Sequence, residues 1–249
     1  MDDNSYNWNW QIFLELSPDA SGTYLYTLVR GLYWTIGVSV AAWVIALAVG
    51  LVVGVLRTGG NRWVQRFCAG YVELFRNIPL LVQMFLWYFV FPEVAPAWLG
   101  DEIKTMDPAW STFWTAVVCL GLFTSARIAE QIRTGIQSLP RGQPMAATAL
   151  GLSKWQIYRH VLLPITGRII LPPLTSEALN LIKNSSVAFT IGLMEITGAA
   201  RAMQEFSFQI FESFAAATVL YLLINLVVVL LMRHLEKRFS VPGYLGAAR

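Results

Sequence analysis

The residues from 31 to 56 form an uninterrupted apolar run, with no charged side chain between Arg30 and Arg57. A helix needs about 20 predominantly apolar residues to cross the hydrocarbon core of a bilayer, and this run is longer. The composition agrees, because 56% of the chain is hydrophobic and only 13% is charged, which is unusual for a soluble domain. We therefore predict an all-α integral membrane protein.

Five membrane-spanning helices are predicted within a transmembrane domain at residues 24–238. The spans cover residues 24–56, 66–91, 112–138, 172–192 and 211–234. In the first span, Gly37, Gly50 and Gly54 have no side chain to hold a neighbouring helix away, so close helix packing is expected there. The second span is apolar only from 77 to 91, which is too short alone. Its helix is therefore expected to begin near Arg66, with irregular backbone around Pro79.

The fourth span is marked by a stripe of polar residues. Pro172 and Pro173 are expected to start its helix. At 100° per residue, the stripe falls within an arc of about 120° on that helix. Its members are Ser176, Glu177, Asn180, Lys183 and Asn184. Lipid cannot satisfy such side chains, so the stripe is predicted to face a cavity or a partner helix.

The placement of charge predicts the orientation of the chain in the membrane. The first 23 residues hold four acidic residues and no Lys or Arg, whereas three other segments are basic. Those basic residues are Arg57, Arg62 and Arg66, then Arg133, Arg141, Lys154, Arg159 and Arg168, then Arg233, Lys237 and Arg238. By the positive-inside rule, a lead-in at 1–23 lies outside. The loop at 139–168 and the tail at 239–249 are then cytoplasmic.

The cytoplasmic loop contains a short segment, 142–164, that is not apolar enough to cross a membrane. Met145 to Leu150 can form a short helix that ends at Gly151. A second short helix fits residues 153–163, with Ser153 as its N-cap. Pro164 is expected to end that second helix. The alanines of the first helix make it slim enough to lie in a groove on another protein.

This loop resembles the cytoplasmic "EAA" loop of ABC-importer permeases, in which Glu-Ala-Ala is followed by Gly at fixed spacing and later by Ile-x-Leu-Pro. Met145-Ala146-Ala147, Gly151 and residues 161–164 stand at the matching positions, with Met145 where the family pattern has Glu. The resemblance implies that this loop docks on an ATPase. The residues it assigns to ATPase coupling are Met145, Ala146, Ala147, Leu150, Gly151, Leu152 and Trp155.

Two further segments, 71–83 and 172–186, resemble the polar amino-acid uptake group of these permeases. Residues 138–143 and 175–192 are most similar to its glutamate/aspartate members. The resemblance implies the five-span permease fold of type I ABC importers, in a bacterial inner membrane. It also implies a dimer of cytoplasmic ATPases that hold the ATP, and a periplasmic amino-acid-binding protein. A second permease subunit is implied as well, a paralogue in preference to another copy of this chain.

Charged residues within the predicted spans are candidates for a translocation path. Glu73 with Arg76, and Arg127 with Glu130, are each three residues apart and would face one another on a helix. One interpretation is that these pairs neutralise each other and join helices. The other is that an excess cation attracts an anionic substrate. The residues predicted for the path are Arg76, Asn77, Arg127, Ser176, Glu177, Asn180 and Lys183.

Motifs for catalysis are missing from the sequence. There is no G-x-x-x-x-G-K-[ST] phosphate loop, no H-E-x-x-H and no G-x-S-x-G, and the chain has only 2 histidines. We therefore predict no enzyme, no metal and no cofactor in this chain. The net charge of +3 is spread along the chain and predicts no nucleic-acid partner. A self-contained ion-coupled transporter for a small polar solute stays as the alternative, although five spans without a visible repeat argue against it.

Overall fold

A computed structural model describes residues 6–18 and 22–239 of the chain. Parts of the predicted lead-in (1–5 and 19–21) and the tail from 240 onward lie outside the described residues. The helices are α1 (Tyr24–Leu56), α2 (Arg62–Asn77), α3 (Leu80–Phe85), α4 (Phe91–Val94), α5 (Ala97–Thr105), α6 (Pro108–Gln137), α7 (Gly142–Ala149), α8 (Lys154–Ile157), α9 (Leu163–Asn184), α10 (Ile196–Ser207) and α11 (Ile210–Phe239). Within the described ranges, no strand longer than the isolated Leu16–Thr23 bridge is present, which confirms the all-α prediction.

Short helices of other types connect some of these elements. The π turn Leu86–Val90 joins α3 to α4, and the π turn Tyr158–Leu162 joins α8 to α9. The 3₁₀ helix Ser185–Ile191 follows α9 directly, and another covers Trp10–Leu14.

Three helices are long and apolar enough to cross a membrane: α1, α6 and α11. A fourth crossing is present if α2 and Leu80–Val94 form one broken span, although these two helices are bent by 104°. The bend occurs where Ile78 takes an extended backbone conformation directly before Pro79. A residue before proline is restricted to that region, which ends α2 there. The irregular backbone predicted around Pro79 is confirmed, and it amounts to a complete break in the helix.

Two predictions about the effect of proline on the helices are wrong. Pro164 does not end a helix, and Pro172 and Pro173 do not start one, because all three lie within α9. The π turn directly before α9 interrupts the regular hydrogen-bond ladder near Pro164, where the missing N–H would otherwise break it. The helical backbone therefore continues from Lys154 to Asn184.

The chain forms two compact units, and the first has its described residues in 6–41, 80–119 and 182–226. Its core includes Ile12, Leu28, Ile196 and Met203, all nearly inaccessible. Glu195, also buried, caps α10 by accepting a hydrogen bond from the Gly198 backbone N–H at 2.9 Å, and the Tyr221 hydroxyl donates to it at 2.6 Å. A single carboxyl group therefore joins the start of α10 to α11.

The second unit has its described residues in 42–79, 120–181 and 227–239, and close contact of α1 with α6 organises it. A Cβ atom placed on Gly50 would lie 2.8 Å from the Ile128 Cβ, and one on Gly54 would lie 2.8 Å from the Ala129 carbonyl oxygen. Both distances are too short for a side chain, so the close packing predicted at these two glycines is confirmed. A Cβ atom placed on Gly37, in the first unit, would lie 3.5 Å from the Phe113 ring, which is an ordinary contact.

Gly54→Val is expected to destabilise the second unit by about 1–3 kcal/mol, because the new side chain forces α1 away from α6. The matched control is Gly70→Val in α2, where no atom lies within 4 Å of an added Cβ. The measurement is the fraction of detergent-purified protein that stays monodisperse after heating. Equal thermal stability of the two variants would contradict the packing role of Gly54.

Candidate translocation and coupling sites

A polar cluster in the second unit joins α6 to α9. Gln131 Nε2 donates a hydrogen bond to Glu177 Oε1 at 3.2 Å, and Arg127 lies 4.0 Å from Glu177 Oε2. The Glu177 side chain is 12% exposed, whereas that of Arg127 is 42% exposed and stacks over the Phe123 ring at 5.0 Å. Arg127 is therefore close enough to neutralise Glu177 partly, yet its guanidinium stays open to another partner.

A second cation lies within electrostatic reach of Glu177. It is Arg76, which is exposed in the last turn of α2. Gln131 Oε1 is buried and has no hydrogen-bond partner among the described residues. These two features would suit a ligand that has both negative and positive groups.

The remaining residues predicted for the path are not part of these contacts. Asn77 donates a hydrogen bond from Nδ2 to Glu73 at 3.0 Å, and it replaces Arg76 as the partner that was expected for Glu73. Ser176 and Lys183 are exposed, and Asn180 is half-buried. Lys183 forms no ion pair within the described part of the chain. Among the described residues, the exposed members of the α9 stripe therefore form no ion pair, whereas its buried member, Glu177, is bonded to Gln131 and lies beside Arg127.

The expected pairing of Arg127 with Glu130 is also wrong. Glu130 instead accepts hydrogen bonds from Arg57 and Arg133. Arg133 follows Glu130 by three residues and could have been identified from spacing. Arg57 is distant in sequence, and the close packing of α1 against α6 brings it there. This cluster joins the end of α1 to α6. Arg127 is not bonded to Glu130 and lies near Glu177 instead.

The predicted coupling residues divide into an exposed and a buried group. Met145 is 69% exposed, Leu150 81% and Trp155 67%, and Ala146 is also exposed. Large apolar side chains exposed so close together in sequence indicate a protein-binding surface. Ala147 is only 6% exposed, because it packs in a core that contains Ile136, Ile157 and Leu162. The buried group therefore attaches this surface to the helices below it.

Gly151 ends α7 in a left-handed conformation, with φ of +81°. Its backbone N–H donates to the Thr148 carbonyl at 2.9 Å, and the Leu152 N–H donates to that of Ala147 at 3.1 Å. This pair of hydrogen bonds is typical of a helix that ends at glycine, because glycine adopts positive φ at little cost. Leu152 is half-buried beside the same core as Ala147. The prediction of a helix end at Gly151 is confirmed.

Ser153 begins α8, as predicted. Its hydroxyl accepts from the Gln156 N–H at 3.4 Å, and the Gln156 side chain accepts from the Ser153 N–H at 2.8 Å. Each residue satisfies a backbone donor at the helix start. The reciprocal bonds define a fixed turn between the two short helices of the coupling loop.

The second short helix is also connected to the end of α1. The Tyr158 hydroxyl, in the π turn after α8, donates to the Thr58 carbonyl oxygen at 3.0 Å. A pocket of about 600 Å³ lies beside this contact, lined in part by Arg57, Arg141 and Pro144. The segment at 142–164 is therefore attached to the end of α1 through Tyr158 and to α6 through the core that holds Ala147 and Ile136.

Residues 46–241 match the family described as the inner membrane component of binding-protein-dependent transport systems. The chain belongs to this family. It is the permease subunit of an ABC importer in the inner membrane, and ATP is hydrolysed by a separate subunit. The predicted family and location are confirmed, and the alternative of a self-contained ion-coupled transporter has no support.

Curated relatives are similar along most of their length. The permease is 47% identical over 243 residues to the glutamate/aspartate import permease protein GltJ of Escherichia coli (strain K12), covering 97% of this chain and 99% of GltJ. It is 32% identical over 214 residues to the glutamine transport system permease protein GlnP of the same strain, covering 86% and 93%.

Solved structures agree on the fold. The permease superposes on a crystal structure of an amino acid ABC transporter with histidines, with a TM-score of 0.73, 27% identity and coverage of 86% of this chain and 95% of that one. An inward-facing structure of the MetNI methionine ABC transporter gives a TM-score of 0.71 at 19% identity, covering 87% and 98%. The second likeness shows the fold alone. Partners of two kinds follow from the family: an ATPase and a binding protein.

Proposed function

We propose that this permease forms the membrane path of an ATP-driven importer for glutamate or aspartate. The observation that carries the proposal is the guanidinium of Arg127, which lies 4.0 Å from the nearly inaccessible Glu177 and stays 42% exposed. The similarity to GltJ over nearly the whole chain supports the same class of substrate. An acidic amino acid has two carboxylates, so a path with an accessible cation would favour it.

The proposed path binds each end of the substrate differently. The substrate carboxylates approach the partly exposed guanidinium of Arg127 and the exposed Arg76. Its ammonium group meets Glu177 and the unpartnered Oε1 of Gln131. Charge-assisted hydrogen bonds of this kind are the strong ones. The exposed members of the α9 stripe, Ser176, Asn180 and Lys183, with Asn77, line the same path.

The proposed topology has five spans, with the N-terminus outside and the C-terminus in the cytoplasm. The helix α9 together with Ser185–Ile191 supplies the span that hydropathy does not detect, because its polar stripe faces the path. The lead-in at 1–23 is periplasmic, 24–238 is the transmembrane domain, 139–168 is the cytoplasmic coupling loop and 239–249 is the tail. The periplasmic binding protein docks on the loops at 92–111 and 195–210.

The proposed coupling element is the exposed surface of α7 and α8. Met145, Ala146, Leu150 and Trp155 contact a groove of the ATPase dimer, which binds the ATP. Ala147, Gly151 and Leu152 hold that surface in shape. A second permease, a paralogue in preference to another copy, completes the path and covers the polar side chains of α9. ATP and the loaded binding protein then shift the same equilibrium between two conformations of the importer, which is the requirement for coupling.

Lys183→Gln is expected to lower glutamate uptake about tenfold, the effect of losing about 1.4 kcal/mol of charge interaction. The reason is that Lys183 is a cation that has no ion pair with any described residue and stands on a stripe that lipid cannot satisfy. The control is Arg62→Gln at the start of α2, an exposed cation that is part of neither the proposed path nor a proposed docking surface. Uptake of labelled glutamate into cells that produce equal amounts of each variant is the measurement. Unchanged uptake by Lys183→Gln would remove this residue from the path.

The importer assembly is tested by purifying the tagged permease from its native membrane in a mild detergent. Co-purification of an ATPase and of a second permease-like chain is the expected result. The purified complex, reconstituted with its binding protein, should take up glutamate or aspartate only with ATP. Recovery of this chain alone, under conditions that keep known importers intact, would contradict the proposed assembly. ATP-dependent uptake of neutral amino acids only would contradict the proposed substrate.

A further inference from the structure

Residues 6–16 form a folded segment, here called the N-terminal strap, with two different faces. Its inner face binds the start of α11. The Tyr6 hydroxyl donates to Glu212 Oε2 at 2.5 Å, and the Asn9 backbone N–H donates to Glu212 Oε1 at 2.8 Å. Ile12, on the same face, is 4% exposed and packs in the core of the first unit. The strap is therefore part of the folded protein.

Glu212 explains why the inner face is needed. Its side chain is inaccessible although it lies in the first turn of an otherwise apolar helix. A carboxylate is favourable at a helix start, but a buried one must have its oxygens hydrogen-bonded. The strap supplies a donor to each oxygen. Burial and the bond to Glu212 raise the pKa of the Tyr6 hydroxyl above its ordinary value.

The outer face of the strap is apolar and open. Trp8 is 56% exposed, Trp10 55%, Leu14 73% and Leu16 76%. The two indole rings stack in parallel, with centroids 5.7 Å apart and 8° between their planes. Apart from Glu15, no residue of the strap is charged. A soluble surface rarely carries so many large apolar side chains together.

This face continues onto the outer surface of α11. The Phe211 ring is 55% exposed and lies 4.7 Å from the Tyr6 ring and 5.5 Å from the Trp8 ring. Further along α11, Leu222 is 64% exposed and Leu226 54%, and only 6% of the most apolar window of this helix is buried. A surface of that kind on a helix long enough to cross a membrane faces lipid. The occupant of the adjoining aromatic face is then lipid too.

We infer that the outer face of the N-terminal strap is an interfacial anchor, which lies among the lipid headgroups of the leaflet where α11 begins. Trp and Tyr prefer this layer, because their rings are apolar and their N–H or O–H groups reach water and headgroups. The inner face connects the anchor to Glu212, so the strap sets the depth at which α11 enters the bilayer. The inference does not depend on the substrate or on the direction of transport.

The test is to measure the membrane depth of a nitroxide spin label at Trp10→Cys and, separately, at Leu14→Cys. Both are made in the full-length chain with Cys68 and Cys119, which are buried and free, replaced by Ala. The importer complex is reconstituted in vesicles of phosphatidylethanolamine and phosphatidylglycerol. Relaxation by oxygen, which concentrates in lipid, is compared with relaxation by a water-soluble nickel chelate. Two control labels calibrate the scale, with the binding protein left out of the vesicles: Leu226→Cys within α11 and Glu102→Cys on the exposed surface of α5.

The expected result is that both strap labels lie between the controls, more accessible to oxygen than Glu102→Cys and more accessible to nickel than Leu226→Cys. Nickel accessibility equal to that of Glu102→Cys would place the strap in water and overturn the inference. Protection from both reagents would show that a protein partner covers the strap, which would overturn it as well. The second labelling position keeps the test valid if one substitution prevents folding.

Discussion

Gly151→Asp is expected to abolish ATP-driven uptake while the permease still inserts and folds. The position has φ of +81° and no atom within 4 Å of an added Cβ, so a side chain fits with only backbone strain, about 1 kcal/mol or less for Asp. The new carboxylate would lie beside Leu150 on the proposed docking surface. A charge buried there without a partner costs about 3 kcal/mol, which corresponds to at least a hundredfold loss of coupled transport.

The matched control is Gly151→Asn, which has the same shape and a similar tolerance for positive φ but no charge. It should retain most of the uptake. Ala146→Arg on the exposed face should reproduce the defect. Ala147 is unsuitable for this purpose, because it is buried and a large side chain there would disrupt α7 itself. The measurements are uptake, ATPase activity stimulated by the binding protein, and the amount of permease in the membrane. Normal uptake by Gly151→Asp would refute the assigned coupling surface.

Arg127→Gln is expected to lower glutamate uptake about thirtyfold, which corresponds to about 2 kcal/mol. A fully buried pair would lose ~3–5 kcal/mol, and the smaller value reflects the partial exposure of Arg127. Two causes would contribute. The substrate loses a cation, and Glu177, which is almost inaccessible, loses the neutralising charge 4.0 Å away.

The double variant Arg127→Gln with Glu177→Gln separates the two causes. If the pair only fastens α6 to α9, removing both charges should restore folding and uptake, because neither charge is left unpaired. If Arg127 binds substrate, the double variant should be as thermally stable as the wild type and still fail in uptake. The proposed path predicts the second result. Recovery of uptake in the double variant would contradict it and support a structural pair.

The sequence alone was sufficient for features that depend on nearby residues or on composition. The apolar runs of α1, α6 and α11 identify these helices, because a bilayer demands length and apolarity that one segment supplies by itself. The helix end at Gly151 and the N-cap at Ser153 were also predictable, since each depends on backbone groups within four residues. The EAA-like pattern around Gly151 predicted the family for the same reason: its spacing is local.

Tertiary structure decided everything that joins distant segments or overrides a local signal. Proline is a strong local signal to start or end a helix, yet Pro164, Pro172 and Pro173 lie within α9, and an adjoining π turn absorbs the interruption at Pro164. The carboxylate of Glu130 bonds to Arg57 and not to Arg127, because Gly50 and Gly54 allow α1 to pack closely against α6. Likewise, Glu212 is buried at the start of α11 only because Tyr6 and Asn9, about 200 residues away, supply its hydrogen bonds. Spacing along a chain cannot predict such contacts, since they form only when the helices have packed.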